Sequence, residues 1–207
     1  VSHPGVAKIT LTGGPQTAIN VMQSAALNLT PSLMELGGKN CMIVCEDADI
    51  ESAVWDAVTG IYLANGEACI ASSRLLLHEN IEHKFLELFV QTANNIRVGD
   101  ALDPISQMGP LISKAHQVSV LAKLKQAEES GLKILAGGSA RPNISKNNED
   151  GFFVSPTLIW DPKGNSQISQ IEVFGPATVA ERFSNYDQAV ERANQTQYGL
   201  AAGVWTK

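Results

Sequence analysis

Cys69 lies in a segment whose composition suits a nucleophile. Residues 65–74 (NGEACIASSR) fall between a predicted helix and a predicted strand, a location where catalytic groups are often found. Small side chains around Cys69 would let a substrate approach its sulfur. A thiol attacks a carbonyl carbon only after it loses its proton, so it needs a base or a positive potential nearby. An isolated cysteine is more often an inert part of a core, and a second residue must decide between the two interpretations.

Glu35 is the candidate for that base. Residues 34–39 (MELGGK) put a carboxylate between apolar residues and two glycines, at the end of a predicted strand. This setting favours burial of the carboxylate, which suits a general base, and an exposed loop glutamate is the alternative. If the two residues act together, Cys69 and Glu35 must open onto a common cleft.

The elements that would position these residues alternate between strands and helices. Apolar runs of strand length are predicted at residues 7–12, 32–36, 40–45, 74–78, 132–136, 152–159, 177–183 and 201–205. Helices are predicted at residues 16–27, 50–61, 81–96, 115–129 and 187–194, with Asp49 as the cap of the second helix. Residues 98–111 and 141–151 are predicted loops. This alternation predicts an α/β domain with a largely parallel sheet flanked by helices.

Composition limits the classes of function. With 44% hydrophobic residues among 207, the chain can bury a core. The net charge of −6, with scattered Lys and Arg, argues against a nucleic-acid partner. The opening residues do not resemble a signal peptide and no apolar stretch reaches membrane-spanning length, so we expect no membrane association. Three cysteines, an odd and sparse set, indicate a reducing compartment such as the cytoplasm.

A metal site built from Cys41, Cys45 and Cys69 is a further alternative. Cys41 and Cys45 share one face of a predicted strand at a spacing too wide to chelate easily, and no histidine is near them in sequence. We therefore expect no metal, and core packing explains these two cysteines better.

The two candidate catalytic segments resemble those of the aldehyde dehydrogenase superfamily. MELGGKN at residues 34–40 is similar to the family's LELGGK motif, and Cys69 stands where the family has its cysteine before a Ser-Arg pair, with Arg74 as that arginine. Further segments follow in the family's order: LTGG at 11–14, VGD at 98–100, MGPLI at 108–112, FVSPTL at 153–158, EVFGP at 172–176 and NQTQYGLAA at 194–202. One short motif is weak evidence, whereas this series covers nearly all of the chain and makes the match specific.

The resemblance implies NAD(P)-dependent oxidation of a small-molecule aldehyde to a carboxylic acid. Cys69 would attack the aldehyde to give a thiohemiacetal, hydride would pass to NAD or NADP, and a thioester would remain. Glu35 would then activate the water that releases the acid. The backbone N–H of Cys69 would stabilise the oxyanion, as in the family.

The resemblance also implies the cofactor contacts, and two positions depart from the family. The contacts are Thr12, Gly13, Gly14, Leu36, Glu172 and Phe174. Glu172 would accept hydrogen bonds from the ribose hydroxyls, and Phe174 would pack near the nicotinamide. Residues 13–18 read GGPQTA where the family has Gly-Ser-Thr-x-x-Gly, which alters the phosphate contact. Glu67 replaces the family's Gln, and its carboxylate would oppose loss of the Cys69 proton unless it points away.

The family's full chain is more than twice as long, so the resemblance implies a fragment. Residues 1–37 would be the C-terminal remnant of a Rossmann-like NAD(P)-binding domain, and residues 38–207 a catalytic domain truncated at its C-terminal end. We therefore expect the 207-residue chain alone to lack dehydrogenase activity, and its parent to be a homodimer or homotetramer.

Two other interpretations stay open at this point. One is an acylating relative that passes the thioester to coenzyme A, and the presence of Glu35 argues against it. The other is a module or binding protein that keeps the fold without activity, and the presence of both Cys69 and Glu35 argues against a parent that has lost its function.

Overall fold

The computed structural model describes residues 1–145 and 148–207, and the chain divides into two compact units, Val1–Gly38 and Lys39–Lys207. Of the loop predicted at 141–151, residues 146–147 lie outside the described part. No helix within the described ranges is long and apolar enough to cross a membrane. The assignment of residues 1–37 to a cofactor domain stays a prediction.

The first unit is a strand–helix–strand crossover. β1 (Ile9–Thr12) and β2 (Ser32–Glu35) pair in parallel, and α1 (Pro15–Ala26) connects them. Pro15 occupies the first turn of α1, where an N–H would have no partner within the helix. The crossover therefore brings the carboxyl ends of both strands to the edge from which α1 starts.

The second unit is built on a six-stranded sheet. Its strands are β3 (Cys41–Val44), β4 (Arg74–His78), β5 (Lys133–Ala136), β6 (Thr157–Trp160), β7 (Ala177–Phe183) and β8 (Ala202–Trp205). They lie in the order β5-β6-β7-β4-β3-β8. Every neighbouring pair is parallel except β5 with β6.

Helices cover both faces of this sheet. They are α2 (Ile50–Tyr62), α3 (Glu82–Asn94), α4 (Lys114–Glu129), α5 (Gln167–Gln170) and α6 (Tyr186–Ala193). Successive residues of a strand point to opposite faces, so Met42 and Val44 pack with α2 and α3, whereas Cys41, Ile43 and Cys45 pack with α6. The predicted α/β class, a largely parallel sheet flanked by helices, is confirmed.

Local signals explain several element ends and two differences from prediction. Asp49 accepts a hydrogen bond from the Ser52 N–H at 2.9 Å and so caps α2, as predicted. The strand predicted at 152–159 begins only at Thr157, because Pro156 before it has no N–H to donate to a neighbouring strand. The helix α5 is missing from the sequence prediction because four residues are too few to show helical periodicity.

Candidate active site

Cys69 lies in a turn between a 3₁₀ helix (Leu63–Gly66) and β4. The Ala71 N–H donates to the Ala68 carbonyl at 3.1 Å, and this bond closes the turn around Cys69. The Cys69 side chain is partly exposed, whereas the other two cysteines are buried. Among the described residues no acceptor is assigned to the Cys69 backbone N–H.

The Asn40 side chain holds this turn in place. Its amide donates to the Cys69 carbonyl at 2.7 Å and to the Ala71 carbonyl at 3.2 Å, while its oxygen accepts from the Ala201 N–H at 3.0 Å. The Asn40 carbonyl accepts from the Arg74 N–H at 3.0 Å. Asn40 is buried, so these bonds also satisfy polar groups that water cannot reach. The orientation of the Cys69 backbone is therefore set by a side chain remote in sequence.

Left-handed backbone precedes the candidate nucleophile. The three consecutive residues 64–66 have φ values of 52°, 59° and 67°. Only glycine fits at Gly66, because a Cβ there would lie 2.2 Å from the Gly175 carbonyl oxygen. Backbone strain of this kind clusters at functional sites. Here it accompanies a close approach between the Cys69 turn and the loop at residues 172–176.

His116 joins Glu67 to Phe174. The His116 Nε2 lies 3.5 Å from a Glu67 carboxylate oxygen and 2.6 Å from the Phe174 carbonyl oxygen. The Ile112 N–H donates to the same Glu67 oxygen at 3.1 Å. The Glu67 carboxylate is thus directed to Ile112 and His116. This contact ties the turn of the nucleophile to the loop that carries the predicted nicotinamide contact.

Lys123 holds the loop that carries Glu172 and Phe174. Its Nζ donates to the carbonyls of Glu172 at 3.0 Å and Val173 at 3.2 Å. Burial lowers the pKa of Lys123, and the Glu172 carboxylate opposes that shift. Phe174 has a φ of 55° and is 38% exposed. An aromatic ring presented from a strained backbone is suited to pack on a ligand.

Arg74 and Glu181 form a buried ion pair inside the sheet. Arg74 Nε lies 2.8 Å from one Glu181 oxygen and Nη2 lies 3.0 Å from the other, with neither side chain exposed. Arg74 Nη2 also donates to the Arg192 carbonyl at 3.0 Å. The arginine of the NGEACIASSR segment therefore fixes the start of β4, close after the Cys69 turn.

Within the first unit, the structure groups the remaining predicted site residues. Thr12 and Glu35 are register partners at the ends of β1 and β2, and the Gly13 N–H donates to the Glu35 carbonyl at 3.1 Å. Gly14 precedes α1, with no neighbouring atom within 4 Å of the place where a Cβ would lie, and Leu36 follows Glu35. The predicted burial of Glu35 is wrong within this unit, because the residue ends an exposed strand of a two-stranded sheet.

The predicted residues thus fall into two local groups, one with Glu35 and one with Cys69, and their pairing stays a prediction. Sequence reasoning missed Asn40 and His116. Asn40 closes the MELGGKN segment, and its place in that motif was a usable signal. No local signal marks His116, whose carbonyl partner is 58 residues away.

The cysteines differ in their surroundings. All three are unpaired, and burial raises the pKa of the Cys41 and Cys45 thiols. Both pack in the core beneath α6, as predicted for structural cysteines. Within residues 1–145 and 148–207, no group of three His, Cys, Asp or Glu side chains is arranged to hold a metal ion.

Comparisons with known proteins agree with the geometry. A model of the aldehyde dehydrogenase family matches residues 1–207. The chain is 39% identical over 207 residues to betaine aldehyde dehydrogenase, chloroplastic, from Atriplex hortensis, covering 100% of this chain and 40% of the relative. It is 41% identical over 206 residues to aminoaldehyde dehydrogenase 2, peroxisomal, from Malus domestica, with the same two coverages. The solved NAD+ complex of aldehyde dehydrogenase from Bacillus cereus matches with a TM-score of 0.94 at 36% identity, covering 100% of this chain and 41% of that chain.

The chain belongs to the aldehyde dehydrogenase family, as its motifs predict. It spans about 40% of the length of the curated relatives that it matches.

Proposed function

We propose that this chain carries the nucleophile and the base of an NAD(P)-dependent aldehyde dehydrogenase, which oxidises a small aldehyde to the carboxylic acid. The observation that carries the proposal is the Cys69 turn, in which a half-buried cysteine stands beside its own backbone N–H, to which no acceptor is assigned among the described residues. Such a pair is suited to attack a carbonyl carbon and to stabilise the oxyanion that forms. Asn40 keeps the turn in position for both tasks.

The reaction proceeds in two stages at Cys69. The thiolate sulfur bonds to the aldehyde carbon, and the carbonyl oxygen becomes negatively charged beside the Cys69 N–H. The cofactor, when bound, supplies the hydride acceptor, so that the adduct on Cys69 becomes a thioester. Glu35 then takes a proton from a water molecule as that water attacks the thioester. The C–S bond breaks, the acid leaves and Cys69 is regenerated.

The residues proposed to hold NAD or NADP are those that the family resemblance implies. They are Thr12, Gly13, Gly14, Leu36, Glu172 and Phe174. Two local features fit the cofactor: the exposed Phe174 ring, and the start of the twelve-residue helix α1, where N–H groups can meet a phosphate. The NAD+ complex of the Bacillus cereus relative supports the same cofactor class.

The names of the relatives suggest which aldehydes to assay first. Betaine aldehyde and aminoaldehydes both carry a nitrogen group, so we propose aldehydes of this kind as the first substrates to test. Three unpaired cysteines support a reducing compartment, and we propose the cytoplasm. The family resemblance supports a homodimer or homotetramer as the assembly of the parent protein.

Alkylation of the three cysteines tests the role of Cys69. Under limiting iodoacetamide, Cys69 is expected to react at least about tenfold faster than Cys41 or Cys45, because the latter two are reached only when the sheet opens. Peptide mass spectrometry measures the three rates separately on the 207-residue chain.

Two controls define the outcome. A Cys69→Ser chain should lose the fast reaction, and in urea the three thiols of the unaltered chain should react at similar rates. Equal, slow alkylation of all three cysteines in the folded chain would contradict the proposed nucleophile.

A further inference from the structure

Glu67 places a negative charge two residues before the proposed nucleophile. Two residues span at most about 7 Å of backbone, so a carboxylate at this position that faced Cys69 would oppose the loss of the thiol proton. The Glu67 side chain is only 14% exposed, and a partly buried charge is screened less than an exposed one. A reactive Cys69 therefore requires that the Glu67 carboxylate be held elsewhere.

Contacts at the start of α4 hold the Glu67 carboxylate. One of its oxygens accepts from the Ile112 N–H at 3.1 Å and lies 3.5 Å from His116 Nε2. Ile112 lies two residues before α4, and His116 lies in the first turn of this helix. The N-terminal end of a helix also attracts negative charge. All of these interactions draw the carboxylate towards α4.

His116 is itself fixed by contacts with Phe174 and with its own helix. A carbonyl oxygen can only accept, so His116 Nε2 carries a proton and donates it to the Phe174 carbonyl at 2.6 Å. The two rings also meet edge to face, with centroids 5.9 Å apart and planes at 68°. The His116 backbone N–H donates to Ser113 Oγ at 3.2 Å. The imidazole therefore has little freedom to move away from Glu67.

We propose that His116 is a positioning residue, which keeps the Glu67 carboxylate at α4 and so permits the Cys69 thiol to ionise. The hydrogen bond from the Ile112 N–H is exposed, and such a bond contributes little by itself. Loss of the imidazole should therefore release the carboxylate towards the Cys69 turn. This inference rests on the proposed function, because the ionisation of Cys69 matters only if Cys69 is the nucleophile.

A cycle of single and double variants of the 207-residue chain tests this role through the rate of Cys69 alkylation. Iodoacetamide is uncharged and reacts with the thiolate, so its rate at about pH 7.5 reports the ionised fraction of Cys69. His116→Ala should slow the reaction about three- to tenfold, since a released carboxylate near the thiol lowers that fraction. Glu67→Gln removes a charge that is already held away and should change the rate by less than about twofold.

The double variant separates an effect through Glu67 from a general effect on the turn. In the Glu67→Gln background, His116→Ala should no longer slow alkylation, because no carboxylate is left to release. A rearranged turn, or the loss of positive charge from the imidazole, would slow the reaction in both backgrounds alike.

Two further substitutions at position 116 separate the N–H donor from the ring. His116→Gln retains a side-chain N–H donor and should keep the rate within about twofold of the unaltered chain. His116→Phe retains only the ring contact and should be as slow as His116→Ala. His83→Ala is the matched control, since His83 is exposed on α3 and its loss should leave the rate unchanged.

Equal slowing by His116→Ala in both backgrounds, or no slowing in either, would overturn the proposal. An increase of about tenfold in the single Glu67→Gln variant would also overturn it, because the carboxylate would then already oppose Cys69 in the unaltered chain. If the His116→Ala chain fails to fold, His116→Phe takes its place in the cycle. Slow alkylation of Cys69 in the unaltered chain is a separate outcome, which contradicts the proposed nucleophile itself.

Discussion

Arg74 and Glu181 place opposite charges within the sheet, on β4 and β7, where neither side chain reaches solvent. Removal of two ions from water costs several kcal/mol, and this cost is offset only while both partners and their hydrogen bonds are present. Lys39 adds a buried amino group nearby, whose pKa is lowered to about 7 by burial and by Arg74. At the residue scale, Glu181 is therefore the carboxylate on which this buried charge cluster depends.

Glu181→Gln is expected to lower the free energy of unfolding by about 3–5 kcal/mol, because it leaves Arg74 charged and buried without a counterion. Urea unfolding followed by circular dichroism measures the change. Glu82→Gln is the matched control, since the Glu82–Arg182 pair joins the same types of side chain with Arg182 at 48% exposure and should cost under about 1 kcal/mol. Equal decreases in the free energy of unfolding of the two variants would show that burial does not decide how much an ion pair contributes to stability.

A site residue could be predicted only where its neighbours in the sequence indicated its role. Cys69 and Glu35 stand in short segments of unusual composition, so residue type and neighbours sufficed to select them. His116 acquires its role from Glu67 and Phe174, which only the folded chain brings near it. The exposure of Glu35 was an alternative that the sequence left open, since it depends on how little of β2 is covered.

At the scale of elements, periodicity predicted the strands and helices of the core well and the turns between them poorly. The strands β4 and β7 have the bounds predicted for them, because short stretches of mainly apolar residues mark a strand that is covered on both faces. The N-terminal cap of α2 could be predicted from Asp49 alone. The 3₁₀ helix before Cys69 was not predicted, since its left-handed residues follow from contact with another loop.

Gly66→Ala tests that contact. Gly66 is expected to tolerate no side chain, because its φ is 67° and a Cβ would overlap the Gly175 carbonyl at 2.2 Å. Gly131→Ala is the matched control, with a φ of 85° but no atom within 4 Å of the added Cβ. The control should cost roughly 1–2 kcal/mol for its backbone alone, and Gly66→Ala at least about 1–3 kcal/mol more for the overlap.

Urea unfolding of the two glycine variants measures both costs. A loss at Gly66 no larger than at Gly131 would show that the turn and the 172–176 loop can move apart without cost.

At the scale of the whole molecule, the α/β class followed from the alternation of elements, but the strand order did not. Nothing local to β8 indicates that it pairs with β3 at one edge of the sheet, or that β5 runs antiparallel to β6 at the other. These pairings are set by long-range packing and by the directions of the crossovers. Motif order, in contrast, was sufficient to identify the family.

The chain alone is expected to form no NADH from NAD+ and an aldehyde. It spans about 40% of the length of its relatives, and we propose that the remainder supplies most of the cofactor site. Absorbance at the NADH wavelength measures the reaction with betaine aldehyde or an aminoaldehyde as substrate. NADH formation by the unaltered chain that disappears in the Cys69→Ser chain would contradict this expectation.

The Asn40 amide also has a consequence for motion. The Asn40 side chain satisfies backbone groups of the nucleophile turn and of the residue that leads into β8, and the backbone carbonyl of Asn40 accepts the first N–H of β4. If any one of these segments moves away, buried polar groups of the others lose their hydrogen-bond partners. Separate fluctuation of one segment therefore costs free energy. We therefore expect the region to open and close as a cooperative unit, with amide protons whose protection from exchange changes together.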